Sequence, residues 1–459
     1  MTEPRRNRVL AVLFTGVLMG ALDIAIIGPA MPAIRAEFGL DPRQLAWIFT
    51  SYVLFQMVGS PLMAKLSDFF GRRAVYLLDV GLFAVGSLVV AASHGSGLWI
   101  LLLAGRAIQG FGAGGIFPIA SAVIGDTFPA TERGRALGLI GAVFGLAFLV
   151  GPVVGGLLLG FGWQWLFLLN LPLALLVMAA GWRLLPHTRT AVGPRFDIAG
   201  TVVLGVALAG LTVGLNQFDP SVAAASLATP QVWSPLLVSA IAWVALVRIE
   251  VRAANPVFPV RLLANRQLAL AFAITAGAGL GEASTVFLPL LAVLSLGVSS
   301  PVGSYLLLPL VAAMAVGSPV AGRLVDRLGS RTVILAGLAT SACGMAGISR
   351  SDGSLGLFIT SSALIGLGLS ALLGAPIRYI TLNETTAADR SAAQGMVTTF
   401  TAIGQLVAAA LIGSLAASVG ETTRGYDLSF LGVAAVAAGL IVVGLLLKSR
   451  AVEQSTRTS

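Results

Sequence analysis

The sequence predicts an all-α protein that crosses a lipid bilayer many times, and three observations lead to this fold class. Hydrophobic residues make up 57% of the 459 residues and charged residues only 10%, well below the share of about 25% that is typical of soluble domains. Apolar runs of about 20 residues, each long enough to cross a hydrocarbon layer of roughly 30 Å, recur along the chain. The runs are continuously apolar rather than alternating, which favours helices over a β-barrel.

Fourteen apolar runs predict fourteen membrane-spanning helices. In chain order they cover residues 9–31, 45–65, 74–93, 98–123, 136–160, 164–185, 197–216, 232–249, 267–292, 301–322, 332–349, 355–378, 392–418 and 427–447. The first run follows Arg5, Arg6 and Arg8, as the core of a secretory signal peptide would. Because this run contains Asp23 and no small-residue cleavage site is obvious, we interpret it as the first span.

The distribution of Lys and Arg predicts the orientation of these helices. If the N-terminus is cytoplasmic, 23 of the 28 basic residues fall in cytoplasmic segments, four fall in outer loops and Arg106 falls within a span. Cytoplasmic loops of membrane proteins carry such an excess of basic residues. The pattern predicts a multi-pass protein of the inner (cytoplasmic) membrane with both termini cytoplasmic. It also accounts for the net charge of +9, so nucleic-acid binding is not expected.

The sequence contains an internal repeat. Residues 64–73, after the second span, resemble residues 322–331, after the tenth span, at an offset of 258 positions (326 minus 68). Spans one to six therefore correspond to spans nine to fourteen, and spans seven and eight form an insert. We expect three parts, which are a six-helix bundle at 1–190, two inserted helices with their linkers at 191–262, and a second six-helix bundle with a short tail at 263–459.

Away from the span ends, four ionisable residues fall within the predicted spans: Asp23, Asp79, Arg106 and Glu282. A charge at the bilayer centre costs about 2.5–3.5 kcal/mol on insertion scales, so these residues are functional candidates. Asp23 and Glu282 lie at nearly equivalent positions of the two bundles, and we expect both to face one central cavity. Asp79 lies nearer the cytoplasmic face, where we expect it either to cap a water-filled crevice or to pair with a loop arginine.

Arg106 keeps its positive charge, so it needs an anionic partner or water. Gln109 lies one helical turn further along the same face of the fourth span. With three acids and one arginine, the fully ionised spans carry a net charge of −2, which favours protons and cationic substrates over anions. The alternative is that these side chains are structural groups, hydrogen-bonded between helices.

Two further motifs lie in the repeat loops and in the fifth span. In the loops, acidic and basic side chains predict a cytoplasmic gate that latches the two halves, formed by Asp68, Gly71, Arg72, Arg73, Asp326, Arg327, Gly329 and Arg331. In the fifth span, small residues and a proline predict close helix packing and a hinge, at Gly151, Pro152, Gly155 and Gly156. The alternatives are that topology alone explains the loop arginines and that ordinary packing explains the glycines.

Five stretches of the sequence together resemble one known family. They are residues 22–32, 64–73, 106–113, 151–156 and 163–172. Through them, and over nearly its whole length, the chain resembles the major facilitator superfamily and within it the fourteen-span drug:proton antiporters. The resemblance implies two six-helix bundles plus two inserted spans, a monomer, alternating access and a role for Arg106 in proton transfer. Ala25, Gly28, Ala64 and Phe69 depart from the residues that are usual in the family.

Residues and resemblance together predict a secondary active transporter that exports small amphipathic, cationic compounds in exchange for protons, as multidrug efflux proteins do. An exporter of lipids or of a specific metabolite, and a proton symporter, stay open as alternatives of the same fold, and a non-transporting sensor as one of another class. An enzyme is not expected because no cluster of nucleophile, base or metal ligands is present; Cys343 is the single cysteine. No cofactor is expected either, since the chain has no glycine-rich loop ending in Gly-Lys-Ser or Gly-Lys-Thr.

Overall fold

The computed structural model describes residues 3–186, 197–253, 256–385, 390–419 and 423–450. Within these ranges the chain forms nineteen α-helices, two short 3₁₀ helices and no β-strand. The amino-terminal half contains α1 (Glu3–Phe38), α2 (Pro42–Phe70), α3 (Arg72–Ala92), α4 (Trp99–Thr127), α5 (Ala130–Leu159), α6 (Gln164–Leu168) and α7 (Asn170–Leu184). The insert contains α8 (Ile198–Gln217), a 3₁₀ helix (Pro220–Val222), α9 (Ala223–Ala228) and α10 (Pro230–Glu250). The carboxyl-terminal half contains a 3₁₀ helix (Val260–Ala264), α11 (Arg266–Thr285), α12 (Leu288–Leu296), α13 (Ser300–Tyr305), α14 (Leu308–Leu328), α15 (Ser330–Ile348), α16 (Leu355–Leu372), α17 (Ala375–Asn383), α18 (Arg390–Ser418) and α19 (Thr423–Leu445).

Thirteen helical segments of the described chain are long and apolar enough to cross a membrane. They coincide with every predicted span except the fifth. The fifth predicted span, 136–160, coincides with α5, in which the described apolar stretch is Leu146–Leu159. The multi-pass helical architecture is therefore confirmed, while the count of fourteen spans and the cytoplasmic position of both termini stay predictions.

Four of the predicted spans, the sixth, ninth, tenth and twelfth, are each divided into two helices. In the last three, the second helix begins one residue before a proline, at Pro289, Pro309 and Pro376. Proline has no N–H to donate and fits the first turn of a helix, where that donor is not needed. The ninth span breaks just after Glu282, so this acid lies in the last turn of α11.

The two repeat loops have the same backbone conformation. α2 ends at Gly71 with φ 97°, and α14 ends at Gly329 with φ 83°. A positive φ is unfavourable for residues that carry a side chain. Glycine at both positions therefore allows one helix to stop and the next to begin at once.

The packing of the helices follows the predicted repeat. α4 packs against α2 and α3, and α16 packs in the same way against α14 and α15. Both arrangements depend on a glycine. A Cβ at Gly112 would lie 2.6 Å from the Asp79 carbonyl oxygen, and one at Gly368 would lie 2.7 Å from the Gly337 carbonyl oxygen. These glycines let the helix backbones approach closely.

The two halves meet along α2 with α18 on one seam, and along α5 with α13 and α14 and α1 with α12 and α13 elsewhere. The insert lies beside the first of these seams, because α8 packs against α10, α2 and α18. Trp47 Nε1 of α2 donates to Asn216 Oδ1 of α8 at 3.2 Å. The insert thus contacts both halves, while the part boundaries at 190 and 262 stay predictions.

Candidate functional site

A polar cluster lies fully buried in the amino-terminal half, between α1 and α4. Asp23 of α1 and Arg106 of α4 are both 0% exposed. Arg106 Nη1 donates to Asp23 Oδ2 at 2.5 Å, and its Nε donates to the Ile48 carbonyl oxygen at 3.1 Å. The guanidinium carbon also lies 4.3 Å from the centre of the Tyr52 ring. A carboxylate, a carbonyl and an aromatic face therefore stabilise the positive charge away from water.

Three neutral side chains complete the cluster. Gln109 Nε2 donates to Asp23 Oδ1 at 3.0 Å, and Gln109 Oε1 accepts from Arg106 Nη1 at 3.1 Å. Asn170 Nδ2, at the start of α7, donates to Asp23 Oδ1 at 3.1 Å. Both amides also donate to Ser87 Oγ, Gln109 at 2.7 Å and Asn170 at 3.2 Å. The Asp23 carboxylate thus accepts hydrogen bonds from three side chains, which compensates for its removal from water.

The sequence predicts some members of this cluster and misses others. Asp23, Arg106 and Gln109 come together, as expected for polar residues inside spans. Asn170 was missed as a partner, although an amide within an apolar run is itself a signal. The sequence does not single out Ser87, because a serine hydroxyl in a helix can equally donate its hydrogen bond to a backbone carbonyl of the same helix.

Asp79 does not occupy the place expected for it. It is 0% exposed in α3, and its carboxyl group lies against Gly115 of α4. Neither carboxyl oxygen has a hydrogen-bond partner among the described residues. No loop arginine pairs with it among the described residues, and its role in transport stays a prediction. Burial between α3 and α4 separates this side chain from the loops.

A second site lies between the two halves, in a cavity that contains the side chain of Glu282. The cavity is narrow in this conformation, with a volume of about 30 Å³. Its lining residues are Ile24, Ala25, Gly28, Phe148, Pro152, Glu282, Thr285, Val286, Leu307, Leu310, Val311, Met314 and Leu369. Gln405 Nε2 of α18 donates to Glu282 Oε2 at 3.1 Å. Among these lining residues Glu282 alone can ionise, so one carboxyl group stands in an apolar cavity.

The expectation that Asp23 and Glu282 face one cavity is wrong. Asp23 is enclosed within its own half, whereas its neighbours Ile24 and Ala25 line the cavity. At the repeat offset of 258, Glu282 corresponds to Ile24 rather than to Asp23. One residue step turns a helix by about 100°. A shift of one position therefore moves the acid from the interior of its bundle to the space between the bundles.

The first gate segment ties α2 to α4 and α7. Arg72 Nη1 lies 2.5 Å from Asp68 Oδ1, and Arg72 Nε lies 3.2 Å from Asp126 Oδ2 near the end of α4. The Arg73 guanidinium carbon lies 4.5 Å from the centre of the Trp182 ring in α7. The structure thus brings the predicted Asp68 and Arg72 together and adds Asp126, which the sequence did not single out. These contacts join helices of the same half.

The second gate segment has different neighbours. Gly329 packs against the segment that follows α19, where a Cβ at Gly329 would lie 2.9 Å from the Arg450 Cβ. Arg331 lines a small pocket beside that same segment. Arg327 is exposed at the end of α14, and the Asp326 side chain lies outside the described residues. A latch between the two gate segments stays a prediction.

The glycine-proline motif of α5 lies where the two halves touch. A Cβ at Gly151 would lie 2.5 Å from the Ala25 Cβ of α1. Ser304 Oγ of α13 donates to the Pro152 carbonyl oxygen at 2.8 Å, which joins the halves directly. The other two glycines contact the same two neighbours, with Gly155 against Pro29 and Ser304, and Gly156 against Tyr305. The predicted close packing is therefore present, and it places α1 and α13 on either side of α5.

A comparison with known proteins agrees with this architecture. The family model described as Major Facilitator Superfamily matches residues 13–314 and, a second time, residues 270–459. The chain belongs to the major facilitator superfamily. The second match begins within α11, which contains the start of the predicted ninth span at residue 267. Membership identifies a membrane transporter and not an enzyme, as the sequence predicted.

Three similar proteins cover most of the chain. The uncharacterised MFS-type transporter YfiU of Bacillus subtilis (strain 168) is 33% identical over 93% of this chain and 82% of its own. The multidrug resistance protein Stp of Mycobacterium tuberculosis (strain CDC 1551 / Oshkosh) is 30% identical over 90% of this chain and 76% of its own. A triacylglyceride transporter of Mycolicibacterium smegmatis is 33% identical over 89% of this chain and 75% of its own.

A solved structure shares the fold. The POT family transporter PepTSo superposes with a TM-score of 0.68 over 98% of this chain and 98% of its own, at 16% sequence identity. At that identity the likeness concerns the arrangement of the helices, and it carries no information on substrate.

Proposed function

We propose that this transporter is a proton-coupled antiporter that works as a monomer in the inner membrane and exports small amphipathic, cationic compounds by alternating access. The observation that carries the proposal is the Glu282 carboxyl group in an otherwise apolar cavity between the halves. An amphipathic cation presents an apolar body to such walls and a positive charge to the carboxylate. A proton competes for the same carboxylate, so one group can serve both.

Glu282 and the Asp23–Arg106 cluster have separate roles in this proposal. Deprotonated Glu282 binds the cation from the cytoplasm, and its protonation from the outside releases it. Asp23 and Arg106 lie directly behind the cavity wall formed by Ile24 and Ala25. The cluster therefore fixes how α1 faces the cavity, and rocking of one half against the other changes the side from which Glu282 is reached.

The similarity to a multidrug resistance protein supports this proposal. The similarity to a triacylglyceride transporter supports a second candidate, the export of a neutral lipid through the same apolar cavity. The two candidates differ in what they require of Glu282. A cation needs the carboxylate as its counter-charge, whereas a neutral lipid does not.

Proton-gradient-driven efflux of ethidium from vesicles that contain the purified protein tests the proposal. The variants are Glu282→Gln, which keeps the size of the side chain, and Asp352→Asn, a matched control at an exposed acid in the loop between α15 and α16. We expect Glu282→Gln to lose at least about tenfold in the efflux rate, equivalent to about 1.4 kcal/mol, because the amide offers neither a counter-charge to the cation nor a site for the exchanged proton. Asp352→Asn should transport as the unmodified protein does.

Equal efflux by the Glu282→Gln variant would contradict the assigned role of this acid. Absence of ethidium efflux from the unmodified protein would retire the cation proposal. The same vesicles, loaded with a fluorescent triacylglycerol, would then decide whether the lipid candidate holds.

A further inference from the structure

Two acidic side chains meet at one end of the insert. Asp197 directly precedes α8, and Glu250 is the last residue of α10. Both carboxyl groups lie against Gly200, because a Cβ built there would meet Asp197 Oδ2 and would lie 2.7 Å from Glu250 Oε1. The two helices pack against each other. They therefore hold the two carboxyl groups side by side, on the side of the membrane that the basic residues predict to be cytoplasmic.

Each of these carboxyl groups has one oxygen with a backbone partner and one oxygen without. Asp197 Oδ1 accepts from the Gly200 N–H at 2.7 Å, and Glu250 Oε1 accepts from the Phe258 N–H at 3.0 Å. Asp197 Oδ2 and Glu250 Oε2 are buried and accept no hydrogen bond from any described residue. Glu250 as a whole is only 4% exposed. Two buried oxygens in the same place thus have no donor.

No basic side chain in the described part of the chain pairs with these two acids. No described ion pair includes Asp197 or Glu250. On α2, which also packs against α8, Lys65 stacks on an aromatic ring and Asp68 pairs with Arg72. The basic residues of α10, of the linker that follows it and of the start of α11 are exposed, namely Arg248, Arg252, Arg261 and Arg266.

A proton is the simplest partner for this arrangement. Burial and a neighbouring negative charge both favour the protonated form of a carboxyl group. A carboxyl group that carries a proton becomes a donor, and its neighbour offers an acceptor. One proton between Asp197 and Glu250 therefore removes the repulsion of two like charges and supplies the hydrogen bond that both buried oxygens lack.

Glu250 also holds the linker that connects the insert to the carboxyl-terminal half. Phe258 of this linker is 4% exposed. The centre of its ring lies 5.6 Å from that of Trp243 in α10 and 5.8 Å from that of Phe400 in α18. Phe258 thus packs on the insert and on the carboxyl-terminal half together. Because its backbone N–H donates to Glu250, the charge state of the acid pair acts on the contact that positions this ring.

We propose that Asp197 and Glu250 form a shared-proton site whose occupancy controls how firmly the linker binds to the insert. With the proton bound, one carboxyl group donates to the other, and Glu250 retains the Phe258 N–H. Without the proton, two buried carboxylates repel each other, Glu250 turns towards water and the linker loosens. In the predicted orientation the site responds to the pH of the cytoplasm. The inference concerns the insert and is independent of the substrate and of proton exchange at Glu282.

Hydrogen–deuterium exchange of the purified protein tests the proposal at the backbone amide of Phe258. The exchange rate of a peptide that contains Phe258, divided by its intrinsic rate at each pH, reports how often the linker opens. An unperturbed carboxyl group is ionised throughout the range from about pH 6 to about pH 9. The proton stabilises the closed linker, so protection is present at low pH and is lost as the pH rises. We expect it to fall at least about fivefold across this range.

Two amide variants distinguish a shared proton from ordinary packing. In Glu250→Gln or Asp197→Asn, the new amide N–H donates to the remaining carboxylate and imitates the protonated state at every pH. Both variants should keep their protection within about twofold from about pH 6 to about pH 9. Asp352→Asn, at an exposed acid between α15 and α16, is the matched control and should lose protection as the unmodified protein does.

Three results of this experiment would overturn the proposal. The first is protection that does not change with pH in the unmodified protein. The second is a pH dependence in Glu250→Gln that equals that of the unmodified protein. The third is protection at about pH 6 that falls when EDTA is added, since a metal ion rather than a proton would then bridge the two carboxylates.

Infrared spectroscopy observes the proton itself and covers the case in which a variant alters the linker for another reason. Protonated and ionised carboxyl groups absorb at different frequencies. The spectrum of the unmodified protein minus that of Glu250→Gln should contain a protonated-carboxyl band at about pH 6, and this band should be lost by about pH 9. Absence of the band at the lower pH would show that both carboxyl groups are ionised there, and the proposal would fail.

Discussion

At the residue scale, the cost of a charge away from water explains how the two acids of the transport region differ. Asp23 shares a fully buried cluster with Arg106, Gln109 and Asn170. Glu282 lies at a cavity and receives a hydrogen bond from Gln405 alone among the described residues. A carboxylate with three donors, one of which is the arginine of an ion pair, is held in place. A carboxylate that receives one hydrogen bond and borders a cavity can exchange that partner for another.

We predict that Asp23→Asn destabilises the protein as well as slowing transport. Removing one member of a buried ion pair leaves the other charge uncompensated, which costs about 3–5 kcal/mol. Thermal unfolding in detergent should show this loss, and the double variant Asp23→Asn, Arg106→Gln should recover most of it. The double variant should still transport poorly, because the α1–α4 contact behind the cavity wall is altered. Full transport by the double variant would show that the pair is only structural.

At the element scale, glycines decide how closely the helices pack. Gly112 of α4 faces the α3 backbone, and Gly151 of α5 faces Ala25 of α1. Gly71 and Gly329 have a different purpose, since their positive φ lets a helix end abruptly. With 55 glycines in the chain, composition alone cannot show which of them are constrained. The distance from each position to its neighbours makes that distinction.

We predict that Gly112→Ala destabilises the protein while Gly125→Ala, on the same helix, does not. The added Cβ at residue 112 would lie 2.6 Å from the Asp79 carbonyl oxygen, whereas nothing lies within 4 Å of a Cβ at residue 125. Forcing α3 and α4 apart should cost about 1–3 kcal/mol. The change at residue 125, where the added Cβ meets no neighbour, should be neutral or slightly stabilising, because alanine favours a helix over glycine by about 1 kcal/mol. Thermal unfolding of the two variants, side by side, measures the difference; equal midpoints would contradict the assignment.

At the scale of the whole molecule, residues of both halves line the cavity. A small set of helices forms the contacts between the halves. α2 meets α18, α5 meets α13 and α14, α1 meets α12 and α13, and α8 covers the α2–α18 seam. The proposed alternating access requires the two bundles to rock about the cavity. The described ion pairs at these helix ends, Arg72 with Asp68 and Asp126 and Lys448 with Glu384, each lie within one half. They therefore stiffen each bundle at its gate end rather than bridging the two.

The exchange of one proton for one monovalent cation predicts electroneutral transport. Glu282 carries one negative charge, so each cycle moves one positive charge outward and one inward. A pH gradient of one unit should then support a substrate gradient of about tenfold, whereas a membrane potential without a pH gradient should drive none. Ethidium movement in proteoliposomes, with the potential set by potassium and valinomycin, distinguishes the two. Potential-driven efflux would require a second titrating acid in the cycle, for which Asp79 is the candidate.

The sequence by itself determined which segments lie in the membrane, that the chain repeats, and which polar residues needed explanation. These properties depend on solvation and local conformation: an apolar run of sufficient length prefers lipid, and glycine is favoured at a helix end with positive φ. For the same reason Asp23, Arg106 and Gln109 could be expected to find partners. Without a partner, their charged and amide groups are unfavourable in lipid, whatever the arrangement of the helices.

Only the tertiary structure decided which way each side chain faces and what it meets. Asp23 and Glu282 are one register position apart in the repeat, and the rotation of about 100° per residue sends one into its bundle and the other into the cavity. Ser87, Asn170 and Lys448 contact their partners across long stretches of sequence, so no local pattern identifies those partners. Contacts of this kind arise from the packing of whole helices, and a reading of separate segments cannot supply them.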